Sequence, residues 1–282
     1  MLIHVGYEFG FDTPLPVVML LKLYLHPSIL DQVRQSENLR VEPATKIEEF
    51  LDSFGNRTSR LILPAGQIRI HNEAVIENEW KPDIVNWNAQ EIPLTELPTQ
   101  VFPYLMSSRY CEVDLLSEIA WELFGQTPPG WARVQAVCDW VHSHIRFGYE
   151  YARVTKTAYD VYRERTGVCR DFNHLALTFC RCLNIPARYA SGYLGDIGIS
   201  PQPLPMDFSA WFEVYLDHQW YTFDARHNTP RIGRILMTRG SDAVDAALTT
   251  SFGQVNLTKF KVWTIDVSHL QTIETIMGGT FS

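Results

Sequence analysis

The chain has 282 residues, of which 46% are hydrophobic and 20% charged, enough apolar material for a sizeable core and for two domains. The formal net charge is −8 and no run of Lys or Arg forms a basic patch, which argues against nucleic acid or an anionic membrane as partner. The start, Met1-Leu2-Ile3-His4-Val5-Gly6-Tyr7-Glu8, has no basic segment followed by an apolar one, so no signal peptide is expected. The most apolar early stretch, Pro14 to Leu25, is too short to span a bilayer and contains Lys22. Five cysteines at irregular spacing (Cys111, Cys138, Cys169, Cys180, Cys182) do not read as a disulfide framework. Reduced thiols in a cytoplasmic protein are the simpler expectation.

Residues 1–105 are expected to form a β-rich domain. Val17 to Leu25 reads as a buried strand, and Ser53-Phe54-Gly55-Asn56-Arg57 as a turn between strand-like segments. Ile68 and Ile70 alternate with Gln67, Arg69 and His71, as in a half-buried strand. Pro93, Pro98 and Pro103 mark a connecting segment. Helical periodicity begins only after residue 110. Leu115, Ile119 and Leu123 repeat at four-residue spacing and predict the buried face of a helix over Asp114 to Phe124. Trp131 to Ile145 repeats the pattern through Val134, Val137 and Val141. Arg146 to Tyr149 reads as a short extended segment, Thr157 to Arg165 as a short helix, and Thr166-Gly167-Val168 as a break. The apolar run from Cys169 to Leu183 then predicts a helix, stopped by Asn184 and Pro186. Strands are expected over Ala187 to Tyr193, over Phe208 to Leu216 and Trp220 to Phe223 as a hairpin around Asp217-His218, and over Lys259 to Val267.

A cysteine that opens a helix after a glycine break has a chemical meaning. Its thiol lies near unpaired backbone N–H groups and the positive end of the helix dipole. Both favour the thiolate, which is the nucleophile, and the same N–H groups can hold an oxyanion. Gly167 permits the close backbone approach this needs. Against this stands the ordinary fate of a free cysteine, burial as a small hydrophobe, which is the reading for Cys138, Cys180 and Cys182.

Gly167-Val168-Cys169-Arg170-Asp171-Phe172-Asn173-His174-Leu175-Ala176 resembles the cysteine motif of bacterial transglutaminase-like proteins. Leu183 to Tyr189 with Ser191-Gly192-Tyr193 is similar to the segment that follows it. Ala210-Trp211-Phe212-Glu213-Val214-Tyr215 resembles the histidine-bearing strand, and Trp220-Tyr221-Thr222-Phe223-Asp224 the aspartate strand. The motifs cover about residues 160–230, inside an expected second domain at 106–282, and Asp52-Ser53-Phe54-Gly55-Asn56 resembles part of the β domain that precedes the core in one bacterial branch.

The resemblance implies an α+β, papain-like fold in which a helix-borne Cys packs on an antiparallel sheet behind a β-rich domain. It implies a Cys–His–Asp set with Cys169 as nucleophile and Asp224 orienting the His. The substrate would be an amide of a peptide or protein, attacked through an acyl-enzyme thioester with water or an amine as acceptor. No cofactor is implied, and no cluster has zinc spacing or a phosphate-binding glycine loop. The family histidine directly precedes Ala-Trp, and that position is Ser209 here. Serine is no general base near neutral pH, so low activity is the expectation. His227 is the candidate substitute, provided that the strand ends at Asp224 and Ala225-Arg226-His227-Asn228 turns back. His174, about 140° around the helix from Cys169, reads as structural. Tyr149 reads as a packed aromatic, with oxyanion donation as the alternative. A descendant that only binds peptides in the cleft, and a purely structural protein, are the competing readings.

Overall fold

The computed structural model describes residues 1–200 and 205–268. The chain opens with β1 (Leu2–Thr13), β2 (Val17–Leu21), β3 (Val33–Gln35), β4 (Arg40–Glu42), β5 (Ile47–Leu51), β6 (Arg57–Leu63) and β7 (Gly66–Glu77). Four helices and two short strands follow: α1 (Val113–Phe124), α2 (Trp131–His144), β8 (Arg146–Phe147), α3 (Ala158–Glu164), β9 (Thr166–Gly167) and α4 (Cys169–Cys182). The chain returns to strand for β10 (Ala187–Leu194), β11 (Ser209–Leu216), β12 (Gln219–Phe223), β13 (Arg234–Gly240), β14 (Thr249–Phe252) and β15 (Asn256–Asp266).

The β-rich part is a sandwich. One sheet runs β15-β1-β7-β3, with β4 also on β7, and the other runs β14-β2-β6-β5. Alternation along β1 sends Ile3, Val5, Tyr7 and Phe9 inward against Met19 and Leu21 of β2 and Leu61 and Leu63 of β6. The expected strand at Val17 to Leu25 stops at Leu21, and the one at Gly66 extends to Glu77. The Asp52 side chain accepts from the backbone N–H groups of Phe54 and Asn56 (both 2.9 Å), which fixes the expected turn before β6. β14 and β15 follow the core in sequence but pair with β2 and β1. The β-rich unit expected at residues 1–105 therefore draws strands from both ends of the chain.

The second core surrounds α4. Helices α1, α2 and α3 pack around it, and beneath it lies the antiparallel sheet β12-β11-β10-β13. Every residue from Asp171 to Cys182 is buried, so α4 is covered on all sides. Asn184, in the left-handed region at φ 63°, lets the chain leave α4 for β10. The face of α1 differs from expectation. Leu116, Ala120 and Phe124 are buried, while Leu115 and Leu123 are exposed. Both sets repeat every four residues. The choice is made by α4, whose apolar surface the Leu116 set covers with the small Ala120 at its centre. The other face of the core sheet, through Tyr193, Ile235 and Met237, joins the core of the sandwich.

Candidate active site

Cys169 is the first residue of α4 and is half-buried, while the other four cysteines are buried; none forms a disulfide. Gly167 is needed just before it, because a Cβ there would lie 2.6 Å from the Cβ of Asp171. The Asp171 carboxylate in turn accepts from Val168 N–H at 3.0 Å and closes the first turn of the helix. Asn173, one turn on, ties three segments together. Its amide donates to the Cys169 and Ala210 carbonyls (both 2.9 Å), and its oxygen accepts from Ala225 N–H at 3.1 Å.

The hairpin register decides where the partner groups lie. Phe212 pairs with Phe223 and Leu216 with Gln219 across Asp217-His218, both at positive φ. β12 ends at Phe223, and the chain then turns back. Asn228 N–H donates to the Asp224 carbonyl at 2.8 Å, and Asn228 takes the left-handed conformation, φ 51°. The Asp224 carboxylate holds this turn by accepting from the N–H groups of Arg226 (3.0 Å) and His227 (3.2 Å). From the α2 side, Gln135 and Asp139 bond the Asn228 side chain, and His142 Nδ1 lies 3.0 Å from the Arg226 carbonyl. The turn brings His227 Nδ1 to 2.8 Å from Asp224 Oδ2. A carboxylate on Nδ1 fixes that nitrogen as the proton donor and leaves Nε2 as the basic nitrogen.

Cys169, Ser209 and His227 line one cavity, together with Tyr149, Asp207 and Arg226. Besides the bond with His227, the Asp224 carboxylate accepts from Arg234 Nη2 at 3.0 Å. Arg234 also pairs with Asp83 at 2.8 Å. Burial alone would raise the pKa of Asp224, but Arg234 and His227 outweigh it and hold the carboxyl well below its usual range. The expectation of an acidified Cys169 is reversed. Burial, reinforced by the nearby Asp207 and Asp224, pushes its thiol up to about 11, against the N–H groups of Ala210 and Arg170. Burial also raises Asp207, whose carboxylate accepts from Phe208 N–H at 2.7 Å.

His174 is structural, as expected: it is buried, stacks on Tyr110 at 5.1 Å and accepts from Ala243 N–H at 3.1 Å. Tyr149 is 45% exposed at the cavity wall, so it is not a fully packed aromatic. Sequence reasoning missed Asn173, Asp207 and Arg234. Asn173 was visible as a polar residue inside an apolar helix; Arg234 carries no local signal of its partner at Asp224. Among the described residues, no group of three or more His, Cys, Asp or Glu side chains could hold a metal, and no helix is long and apolar enough to cross a membrane.

Comparison with known proteins agrees with the fold. A crystal structure from Cytophaga hutchinsonii described as "a Putative Cysteine Protease" superposes with a TM-score of 0.83 at 28% identity, covering 95% of this chain and 91% of that one. An uncharacterized protein of Mycobacterium leprae is 26% identical over 160 residues, a match that spans 55% of this chain and 57% of the relative. The model of the transglutaminase-like superfamily core matches residues 118–225 of this chain, from α1 to the residue after Asp224.

Proposed function

We propose that the protein is a thiol enzyme that cleaves or transfers the acyl group of an amide in a peptide or protein, with His227 in the role that Ser209 cannot fill. The observation that carries this reading is the 2.8 Å bond between His227 Nδ1 and Asp224, on a turn whose histidine shares a cavity with Cys169. In this scheme the Cys169 thiol passes its proton to His227 Nε2 as sulfur attacks the amide carbon. The proton then goes to the departing nitrogen, and a thioester remains on Cys169. Water or an amine attacks the thioester and gives its proton to His227; the C–S bond then breaks to release the acid or the new amide, and the proton returns from His227 to the Cys169 sulfur. Asp224 holds the imidazole in the required tautomer and stabilises its charged form. A thiol with a raised pKa fits a mechanism in which the proton moves during attack, rather than a resting thiolate–imidazolium pair.

Ser209 supports a second reading, in which the cleft binds peptides without turning them over. The two separate in one assay: hydrolysis of, or amine transfer to, a glutamine-containing peptide by the native protein, Cys169→Ala and His227→Ala. The enzyme reading expects turnover that both variants abolish. The binding reading expects none in the native protein and a gain in Ser209→His.

A further inference from the structure

A second cavity, of about 330 Å³, also has Cys169 in its wall and extends away from His227 toward the β sandwich. Its far wall comes from the sandwich itself, as Phe9 of β1 and Phe260 of β15. Their rings stack at 5.0 Å with planes 13° apart. Phe208, beside Ser209, stands edge-on to both, at 6.2 Å and 6.3 Å. Phe9 is 3% exposed and Phe208 9%, but Phe260 is 46% exposed. An open aromatic face therefore meets a cavity whose other end is a thiol. The facing wall, with Ala247 and Leu248 in it, is also apolar.

We propose that this cavity is the acyl-donor subsite for one bulky apolar side chain, preferentially aromatic, and that Phe260 is its specificity-determining residue. The proposal rests on Cys169 being the nucleophile, but not on which group serves as base. The volume is at the low end of small-ligand sites, about 300–1,000 Å³, and suits one side chain of an extended peptide. An aromatic guest can continue the edge and stacked contacts that Phe9, Phe208 and Phe260 already make. The sandwich thereby gains a task in the chemistry, since it supplies the wall that reads the substrate.

The test is alkylation of Cys169, followed by mass spectrometry at pH 8, with N-benzyliodoacetamide and with iodoacetamide, each rate normalised to a free cysteine peptide. The aromatic reagent should react about tenfold faster than iodoacetamide with the native protein. Phe260→Ala should bring the ratio near one, and so should Ala247→Phe, which fills the cavity from the opposite wall. Leu257→Ala, on the same strand and more than half exposed, should leave the ratio as it is. A native ratio near one, or a ratio that survives both Phe260→Ala and Ala247→Phe, would overturn the subsite. A preference for a cationic iodoacetamide would overturn it in favour of recognition through Asp207. Complete inertness of Cys169 to iodoacetamide would instead remove the nucleophile reading on which the subsite rests.

Discussion

At Asp224, one carboxylate satisfies two backbone N–H groups, an imidazole and a guanidinium while buried. Its depressed pKa means that the folded state binds this proton less readily than the unfolded chain, for which about 3.9 is usual. Its stabilisation is thus complete above that value and is lost as pH falls through the folded pKa. Asp224→Asn should lower catalytic turnover by about 10²–10⁴, the range of general acid–base assistance, because the imidazole loses its orienting anion. Steady-state kinetics beside a far-UV melting curve would separate this from unfolding. For Cys169, the raised thiol pKa gives a different profile. The thiolate fraction, and with it the iodoacetamide rate, should climb about tenfold per pH unit up to about 11. A rate already maximal at pH 6 would mean that an imidazolium stabilises the thiolate after all.

Elements explain what single residues could not announce. The Asp217-His218 hairpin was legible because a two-residue turn between alternating strands fixes register, and that register pairs Phe212 with Phe223, the residue before Asp224. The return of the chain after Asp224 was legible only as a condition, since Asn228 and Pro230 permit a turn without requiring one. The buried face of α1 was not legible, because two four-residue repeats compete in one helix and only the packing partner chooses. Asn173 is the element-level joint between α4, β11 and the His227 turn. Asn173→Ala leaves three backbone groups, two of them in buried bonds, without this partner and should cost about 2–4 kcal/mol, measured by urea denaturation. A loss below about 0.5 kcal/mol would show that the joint is dispensable.

The two cores meet where the sandwich closes over the sheet β12-β11-β10-β13, and strands from both ends of the chain are woven into that closure. That arrangement was outside the reach of local pattern, since β15 looks like any alternating strand until its partner β1, some 250 residues earlier, is known. The sandwich also holds a buried carboxyl, Glu37, whose pKa burial raises to about 7 against the bonds from Leu25 N–H, Arg57 and Asn72. Because the folded pKa exceeds the unfolded value of about 4.3, its contribution is fully present below about 4.3 and is lost as pH rises through about 7. Glu37→Gln keeps an acceptor for Leu25 and Asn72 and should raise stability at pH 8 by on the order of 1–3 kcal/mol, with little change at pH 4. Thermal melts at the two pH values check this.

The most direct measurement of the central claim is turnover of a glutamine-containing peptide by the native protein, Cys169→Ala, His227→Ala and Ser209→His, with thioester accumulation followed by mass spectrometry. The account predicts native turnover that disappears in both alanine variants, and an adduct that maps to Cys169. Native turnover that persists in His227→Ala, or an inactive native protein that Ser209→His activates, would contradict the assignment of His227 as the base.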